Sequence, residues 1–425
     1  MTRLTCVAMG VIASALVLAP CAAAQDTTIE QLVTTALERA PDIRAARTAI
    51  AAAGGQLTQA GLKPNPVLTT SQKQITDGQH ETMVGIEWPL DLFRRPSRVE
   101  TARQELEATN LSVQDRERML ASAVREQAGR LLASRRNVEV MNEALTAAGR
   151  MRELLDQRVT EGEVPRLDAN IAAVEVGRMQ ADLILAGADA DQATIELKAL
   201  VGLRPDAPLV MRDSLESLVR VTSPAEAAQT PDAALAARAD IREATARVAL
   251  AGARVDEARR EGRFDMTLAG TYGLSRFSFA QRGLDDSGRP VPIEGLFHSV
   301  TMGAVLTLPV RNKNQGALAA AQAERSGQEE LLAARQLAAR AELDASMAQD
   351  REAQRAVDLF ASSIRDQARQ NVDVLLESYD LGRSSLSDVL AEQRRYLEVE
   401  AAYTTVLSHA YQARVALRRA RGEIR

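Results

Sequence analysis

The side chains best able to bind a metal or transfer a proton near neutral pH are three histidines, His80, His298 and His409. They lie far apart in the sequence, and none belongs to an HExxH motif. The sequence also lacks cysteine pairs with metal-ligand spacing, a phosphate-binding glycine loop and a nucleophile-elbow motif. We therefore expect a protein that is not an enzyme, uses no cofactor and holds no resident metal.

A carboxylate that could act on passing cations lies in the stretch Tyr379–Leu390, where a long helical pattern turns back on itself. Apolar residues recur every three or four positions up to Tyr379, which predicts a helix. Gly382 then ends the pattern as a C-terminal helix cap would, and either of two following serines can begin a second helix. Asp388 falls in the first turn of that second helix.

The reversal is one of two, and their spacing indicates an internal duplication. Four pairs of residues share an offset of 220 positions: Gly162 with Gly382, Asp168 with Asp388, Pro89 with Pro309, and Gly202 with Gly422. We predict a first repeat over residues 25–218 and a second over 219–425. Near the start of the repeats Asp42 matches Asp240 at an offset of 198, so the second repeat carries 22 additional residues. We assign them to a hairpin loop from Phe277 to His298.

The first 24 residues have the pattern of an export signal rather than of a folded element. Arg3 precedes a short apolar run, and three alanines that end at Ala24 offer a cleavage site. Both cysteines of the chain, Cys6 and Cys21, lie in this segment. Cys21 follows Leu-Ala-Pro, which is a poor match to a lipoprotein box. Cleavage after Ala24 would leave an exported protein without a disulfide or a thiol ligand.

Composition and periodicity favour long helices over large globular cores. Aromatic residues form only 3% of the chain, and the formal net charge of −5 gives no basic surface for nucleic acid. The segment from Pro96 to Gly162 has no internal proline and would form a helix on the order of 100 Å long. We predict long helical hairpins over residues 96–202 and 314–422, and the long helix of the first has a narrow apolar stripe typical of coiled-coil packing. No segment after the signal approaches 18 consecutive apolar residues.

Each repeat also contains a candidate β-hairpin, over residues 65–90 and 264–309. In the second, Val300 and Met302 alternate with Ser299 and Thr301, and the other predicted strands show the same period of two. One face is therefore apolar and the other small or polar, as in the strands of an outer-membrane barrel. A pair of soluble hairpins packed on helices is the alternative. Four strands cannot close a barrel, so a barrel requires several copies of the chain. The proline-rich segment from Leu203 to Pro231 would link the repeats outside the helices.

With these features the sequence resembles the TolC family of outer-membrane efflux proteins over nearly the whole mature chain. The resemblance rests on the duplicated plan, on Ala-Pro-Asp-Ile at residues 40–43, on Leu-Pro-Val-Arg-Asn-Lys-Asn-Gln-Gly at residues 308–316, and on the reversal at Tyr379–Leu390. The run at 308–316 is most similar to the heavy-metal branch, which serves cobalt, zinc, cadmium, copper or silver efflux. The resemblance implies a mainly α homotrimer with a 12-stranded transmembrane β-barrel in the outer membrane and an α-helical tunnel in the periplasm. It also implies a periplasmic adaptor protein, an inner-membrane pump and outer-membrane lipid as partners.

The resemblance also implies roles for residues of the reversals. Asp388 corresponds to an aspartate that faces the channel axis in each subunit and narrows the entrance, and Tyr379 to a tyrosine that helps to latch neighbouring helices. Gly162, Asp168 and Gly382 would complete the helical tips. Ala391 and Ser384 stand where other members carry a second aspartate and a latching arginine, so we expect a single acidic ring and a weaker latch. Three converging carboxylates would raise one another's pKa. The alternative is that Asp388 only favours the positive end of its helix.

Two other functions remain open at this level. The same fold could serve as the exit duct of a multidrug or type I protein-secretion system, because the pump selects the cargo. A soluble periplasmic coiled-coil adaptor would account for the helices and the signal segment but not for the alternating strands in both repeats.

Overall fold

The computed structural model describes residues 26–75, 79–220 and 230–424. The predicted signal peptide at residues 1–24 and the turn residues 76–78 of the first hairpin lie outside these ranges. The elements of the first repeat are β1 (Asp26–Thr27), α1 (Ile29–Arg39), α2 (Pro41–Gly61), β2 (Val67–Ile75), β3 (Gln79–Pro89), α3 (Arg95–Thr160) and α4 (Arg166–Val201). A connecting segment carries β4 (Val210–Met211) and α5 (Leu215–Arg220).

The second repeat follows the same plan. Its elements are α6 (Pro231–Ala237), α7 (Ala239–Glu261), β5 (Asp265–Leu284), β6 (Pro290–Thr307), α8 (Gln315–Leu359), a π-helical turn (Phe360–Ile364), α9 (Arg365–Asp380) and α10 (Leu386–Ala420). The duplication is visible in the backbone, because Gly162, Gly202, Gly382 and Gly422 all end helices with positive φ angles between +68° and +83°. Other residue types rarely adopt this conformation.

The predicted long helices are present. Helix α3 has 66 residues and is therefore about 99 Å long. Pro96 occupies its first turn, where the missing N–H is not needed, and no further proline interrupts it. The structure pairs α3 with α4, and α8 and α9 with α10, as two helical hairpins. Among the helices of the described residues, none combines the length and the apolarity that crossing a membrane requires.

The two repeats share one main core. Leu131 and Leu197 of the first repeat and Tyr403 and Leu407 of the second are fully buried in the same apolar cluster. The cluster lies where α1, α3, α4, α5 and α10 meet. Neither repeat therefore buries its apolar surface alone, and the chain folds as one unit.

The connecting segment is more than the external linker predicted from its prolines. Strand β4 pairs in parallel with β1, and Leu215 and Val219 of α5 are each 1% exposed within the shared core. The four-residue spacing of these two apolar side chains puts them on one face of a short helix, which explains why it packs. The repeat boundary predicted at residues 218 and 219 falls inside this helix. The rest of the predicted linker, residues 221–229, lies outside the described ranges.

The two hairpins form a single antiparallel sheet in the order β2-β3-β5-β6. Within the sheet, the two repeats meet where β3 pairs with β5. This pairing runs from His80 opposite Arg276 to Pro89 opposite Thr267. Strands β2 and β6 are the edges, and each has only one partner strand within the described chain. A sheet with two open edges can accept further strands on both sides.

The predicted alternation of the strands is confirmed. Residues paired across strands share a face, so the register assigns each side chain to one side of the sheet. One side is apolar and consists largely of Leu68, Val84, Ile86, Trp88, Leu268, Tyr272, Val300, Met302 and Leu306. These side chains are exposed, and Met302 reaches 85%. The opposite side carries small and polar residues such as Thr69, Ser71, Gly273, Ser299 and Thr301.

The strands of the second hairpin are longer than predicted, and this corrects the loop assigned to Phe277–His298. Strand β5 continues to Leu284 and β6 begins at Pro290, so only a short turn separates them. The turn is closed by the amide of Asp285, which donates to the carbonyl oxygen of Arg289 over 2.9 Å. The prediction failed because glycine, proline and charged residues in this segment resemble a loop, and because Phe277 and Phe279 lie on the side of the sheet opposite to the apolar residues that precede them.

Candidate functional site

Both predicted reversals are present at the ends of the helical hairpins, and both are built in the same way. Gly162 and Gly382 have φ angles of +81° and +68°. In each reversal the N–H group after the glycine donates to the carbonyl oxygen five residues back, over 2.9 Å in both cases. This is the bonding of a Schellman motif, which satisfies carbonyl groups at the helix end. We call the two reversals together the helical tips.

An apolar cluster of its own holds the two tips side by side. Its buried members are Leu155, Ala169, Ala172, Leu386 and Leu390, and Tyr379 packs against them. Leu155 lies in α3 of the first repeat and is fully buried, whereas Leu386 and Leu390 begin α10 of the second repeat. The tips of one chain are therefore one packed unit, and their apolar cluster is separate from the main core.

A cleft of about 380 Å³ lies between the tips. It brings together three of the predicted site residues, Asp168, Tyr379 and Gly382. Gly162 and Asp388 belong to the same tips but do not line the cleft. The five residues predicted from the two reversals thus lie in one region, although they do not form one pocket.

The carboxylate of Asp388 is occupied by a helix cap. It accepts hydrogen bonds from the hydroxyl of Ser385 at 2.6 Å and from the amide of Ser385 at 3.1 Å. In return the Ser385 hydroxyl oxygen accepts from the amide of Asp388 at 3.3 Å, which completes a capping box at the start of α10. The side-chain and backbone hydrogen bonds from Ser385 lower the pKa of Asp388 below its ordinary value of 3.8. In one chain the pKa of Asp388 is therefore lowered, whereas a ring of three carboxylates is expected to raise it.

Asp168 is the positional equivalent of Asp388, but its surroundings differ. The N-cap residue of α4 is Pro165, which has no side-chain group to form a cap. The carboxylate of Asp168 therefore has no capping partner and lies near Tyr379 in the cleft. Both repeats have an aspartate at the third position of the helix, but only the second has a serine N-cap that binds it.

Tyr379 is half-buried, and its hydroxyl is enclosed without a hydrogen-bond partner among the described residues. Burial raises the pKa of Tyr379, and the nearby carboxylate of Asp168 raises it further, while the guanidinium group of Arg158 opposes both. The ring packs on the apolar cluster of the tips. Within one chain Tyr379 therefore connects the tips by packing.

An ion pair between the tips was not predicted from the sequence. Arg158 of α3 and Asp380 of α9 approach to 3.2 Å, and the Asp380 side chain is 60% exposed. An exposed pair of this kind contributes about 0.2–1 kcal/mol. Ser384, which stands where a latching arginine was expected, donates its hydroxyl to the carbonyl oxygen of Leu375 at 3.3 Å. In the sequence, the opposite charges of Arg158 and Asp380, which lie close to Gly162 and Gly382, could have indicated this ion pair.

A buried charge network was also missed. Glu400 of α10 is 3% exposed and accepts hydrogen bonds from Arg365 at 2.8 and 3.2 Å and from Arg136 at 3.3 Å. Both guanidinium groups lie over the ring of Tyr403, at 4.4 Å for Arg365 and 5.2 Å for Arg136. Phe360, the first residue of the π-helical turn, stacks on the same ring. In the sequence, the position of Glu400 on the apolar stripe of α10, three residues before Tyr403, could have indicated a buried carboxylate that needs a charged partner.

A family model described as outer membrane efflux protein matches residues 32–203 and 230–423, which cover both repeats. The chain belongs to the outer membrane efflux protein family. The proteins of this family are channels and not enzymes, which confirms the exclusion of catalysis. Membership also decides against a soluble periplasmic adaptor.

Solved structures share the fold of this efflux protein at low sequence identity. CusC, in a study of folding and transmembrane channel formation, is 18% identical with a TM-score of 0.76, and the match covers 94% of this chain and 93% of CusC. The outer membrane protein VceC of Vibrio cholerae is 21% identical with a TM-score of 0.73, and 94% and 97% are covered. The open-state MtrE channel of Neisseria gonorrhoeae is 20% identical with a TM-score of 0.73, and 93% and 89% are covered. Among curated proteins, none matches this sequence.

The run at residues 308–316, which carried the resemblance to the heavy-metal branch, has a role in the fold of this efflux protein. Asn314 adopts a left-handed φ of +62°, and its side-chain amide donates to the carbonyl oxygen of Ala258 at 2.8 Å. It thereby ties the start of α8 to the end of α7. Gly262 must be glycine, because a Cβ there would approach the carbonyl oxygen of Lys313 to within 2.3 Å. The run thus shapes the turn that leads into α8.

The histidines do not form a metal site in the described ranges, where no three His, Cys, Asp or Glu side chains are grouped to hold an ion. The Nδ1 atom of His298 lies 2.5 Å from the hydroxyl of Tyr272 on the neighbouring strand. This contact joins β5 to β6 on the apolar side of the sheet.

Proposed function

We propose that the protein is the outer-membrane exit duct of a tripartite efflux system that exports heavy-metal cations. In this proposal three copies form one channel. A periplasmic adaptor and an inner-membrane pump complete the pathway, and the helical tunnel extends from the outer membrane into the periplasm.

The observation that carries the proposal is the open four-stranded sheet. Its apolar side is exposed, as at Met302 and Val300, and its edge strands β2 and β6 each have one partner strand among the described residues. Unpaired strand edges are not tolerated in hydrocarbon, because each free N–H and C=O group costs several kcal/mol there. Pairing β6 of one copy with β2 of the next satisfies both edges. Three copies would supply the 12 strands of a closed barrel.

The dimensions of the helices support a tunnel outside the membrane. Helix α3 is about 99 Å long, whereas a bilayer with its headgroups is about 40–45 Å thick. With the sheet in the membrane, the helical hairpins must extend far beyond it. The helical tips would then form the periplasmic end of the duct, which the adaptor and the pump approach.

At that end we propose a single ring of three Asp388 carboxylates as the constriction. The side chain is exposed at the start of α10 and accepts its only described hydrogen bonds from Ser385, so the charge is retained. Tyr379 and Asp168, in the cleft between the tips, would hold the two hairpins of each chain together. Gly162 and Gly382 permit the reversals and leave the tips narrow.

The heavy-metal cargo rests on the resemblance of residues 308–316 to the metal branch. A multidrug or type I protein-secretion duct is the alternative within the same fold. A water-filled duct lined by carboxylates would pass cations without a dedicated binding site, since selection occurs at the pump.

The proposal is tested by deleting the gene and comparing tolerance to zinc, cobalt, cadmium, copper and silver with tolerance to a panel of drugs. We expect sensitivity to at least one metal, restored by the wild-type gene. A control plasmid would carry a version without the predicted signal at residues 1–24, which should not restore tolerance. Drug sensitivity without metal sensitivity would contradict the cargo and favour the multidrug alternative.

A further inference from the structure

The apolar side of the sheet ends in a polar rim where the strands lie farthest from the helices. All four strands join their helices at the opposite end. Along β5, every second residue from Met266 to Leu274 faces the apolar side, and Arg276 is the next residue on that side. Arg276 is exposed. A cationic side chain therefore follows the apolar residues at this end of the sheet.

Two of the three histidines lie beside Arg276 on the same side. His80 of β3 is directly opposite Arg276, and His298 of β6 is opposite Leu274, one row nearer to the helices. Side chains directly opposite each other have Cβ atoms about 4.5–5.5 Å apart. Both histidines are exposed. We call His80, Arg276 and His298 the rim cluster.

The rim cluster presents hydrogen-bond donors. The Nδ1 atom of His298 lies 2.5 Å from the hydroxyl of Tyr272. When that hydroxyl donates, the imidazole N–H group is at Nε2 and can donate to a ligand. Among the described residues, no carboxylate forms an ion pair or a hydrogen bond with the guanidinium group of Arg276. Glu294 of β6 lies on the same side one row farther out, opposite Ser278. The donors of Arg276 are therefore available to an anion from outside the chain.

The arrangement suits an anion better than a metal ion. His80 and His298 lie on β3 and β6, which are separated by β5 and are therefore about 9.6 Å apart. One zinc ion needs its nitrogen ligands at about 2.0–2.1 Å. The guanidinium group of Arg276, in between, would repel a metal cation. It matches the geometry of a phosphate group, to which it can donate two parallel hydrogen bonds.

We propose that the rim cluster binds the phosphate headgroup of a membrane lipid whose acyl chains lie on the apolar side of the sheet. This inference rests on the proposed function, which places that side in the hydrocarbon of the outer membrane and the helical tips in the periplasm. The rim cluster then lies at the outer surface of the membrane. Tyr272 lies opposite Val300 beside the cluster and suits this depth, because tyrosine is enriched where hydrocarbon meets headgroups.

The length of the apolar side agrees with this depth. Arg276 follows Met266, the first apolar residue of β5 on this side, by ten positions. This separation is about 33 Å along the strand and about 25 Å along the membrane normal at a tilt of about 40°. The apolar band of an outer-membrane barrel is about 25 Å tall. Trp88 lies near the inner end of the band, opposite Leu268. The rim cluster therefore falls at the level of the lipid headgroups.

The test is lipid binding to detergent-purified trimers, measured by native mass spectrometry. The probe is dioleoyl phosphatidic acid, and dioleoylglycerol supplies the same acyl chains without phosphate. We expect wild-type trimers to prefer phosphatidic acid, and Arg276→Gln to weaken its binding about tenfold or more, because hydrogen bonds between charged groups are lost. Binding of dioleoylglycerol should be the same for both proteins.

The matched control is Lys73→Gln, which removes the same charge at the same end of the sheet. Lys73 lies opposite Glu81 on the small and polar side, so its loss should leave the binding of phosphatidic acid unchanged. Equal weakening by Lys73→Gln and Arg276→Gln would overturn the inference, because binding would then follow net charge alone. Should Arg276→Gln form no trimers, His80→Gln is compared with the same control and should weaken binding severalfold.

Two further outcomes separate this inference from the proposed function. Equal affinity of wild-type trimers for the two lipids, or complete displacement of phosphatidic acid by inorganic phosphate at equal concentration, would refute a lipid-headgroup site while leaving the channel intact. A wild-type protein that forms no trimers in the outer membrane would instead refute the proposed function.

Discussion

The clearest test of the helical tips separates the charge of Asp388 from its role in the cap. Ser385→Ala removes the hydroxyl that donates to Asp388 at 2.6 Å and accepts from its amide at 3.3 Å. Loss of a serine N-cap typically costs about 1 kcal/mol. Because 1.4 kcal/mol corresponds to a factor of ten, amide hydrogen exchange in the first turn of α10 should accelerate about fivefold. Ion selectivity should stay unchanged.

Asp388→Asn should have the reverse effect. The side-chain oxygen of asparagine can still accept from the hydroxyl and the amide of Ser385, so exchange at the tip should change little. The three negative charges of the ring are lost, and the preference of the reconstituted channel for cations should fall together with block by multivalent cations. Planar-bilayer reversal potentials measure the first effect and current block measures the second.

The pH dependence follows from the same hydrogen bonds. Since they lower the pKa of Asp388 below 3.8, the carboxylate is ionised in the folded protein at pH 5 as it is at pH 7. The contribution of the cap is present above the ordinary pKa and is lost as the pH falls through the lowered value. In a ring these hydrogen bonds oppose the repulsion among the three carboxylates, and we expect them to keep cation selectivity constant between pH 7 and pH 5. Equal selectivity of Asp388→Asn and wild-type trimers would refute the ring, and selectivity lost with Ser385→Ala would show that the cap matters instead.

Three further predictions concern stability and exposure. Glu400→Ala leaves the half-buried guanidinium group of Arg365 without this carboxylate, while Arg136 keeps its pair with Glu216, and the loss of these charged hydrogen bonds should destabilise the protein by about 1.5–3 kcal/mol. Glu352→Ala, in an exposed pair, should cost under about 1 kcal/mol, and thermal unfolding that does not distinguish the two variants would contradict the network. Gly382→Ala forces a Cβ into a left-handed conformation at a cost of about 1–2 kcal/mol, whereas Gly327→Ala in the middle of α8 should be neutral or stabilising in the same assay. Ser287→Cys, in the turn between β5 and β6, should react with an impermeant maleimide on intact cells, and absence of labelling in folded trimers would contradict an orientation with the helical tips in the periplasm.

Local chemistry explains which parts of the fold could be predicted from the sequence. The reversals at Gly162 and Gly382 and the length of α3 depend on glycine, proline and helical periodicity, which act over a few residues. The alternation of the strands is equally local. The duplication added the expectation that both repeats contain the same elements.

Features that depend on distant residues or on a change of pattern could not be predicted in this way. The segment from Phe277 to His298 was interpreted as a loop because it is rich in glycine, aspartate, serine and proline, yet most of it continues strands β5 and β6. The pairing of Arg158 with Asp380 joins residues 222 positions apart in sequence. Asp388 was expected to differ from an ordinary helix-end residue, and the single chain shows it in a capping box with Ser385. Whether it also lines a ring depends on contacts between copies, which one sequence does not contain.

The mass of the detergent-solubilised outer-membrane protein tests the central claim most directly. Mass photometry should give a particle of three chains, after subtraction of the detergent, because the open edges of β2 and β6 are satisfied only when copies close the sheet. A soluble monomer recovered from the periplasm, with no trimer in the outer-membrane fraction, would contradict the account.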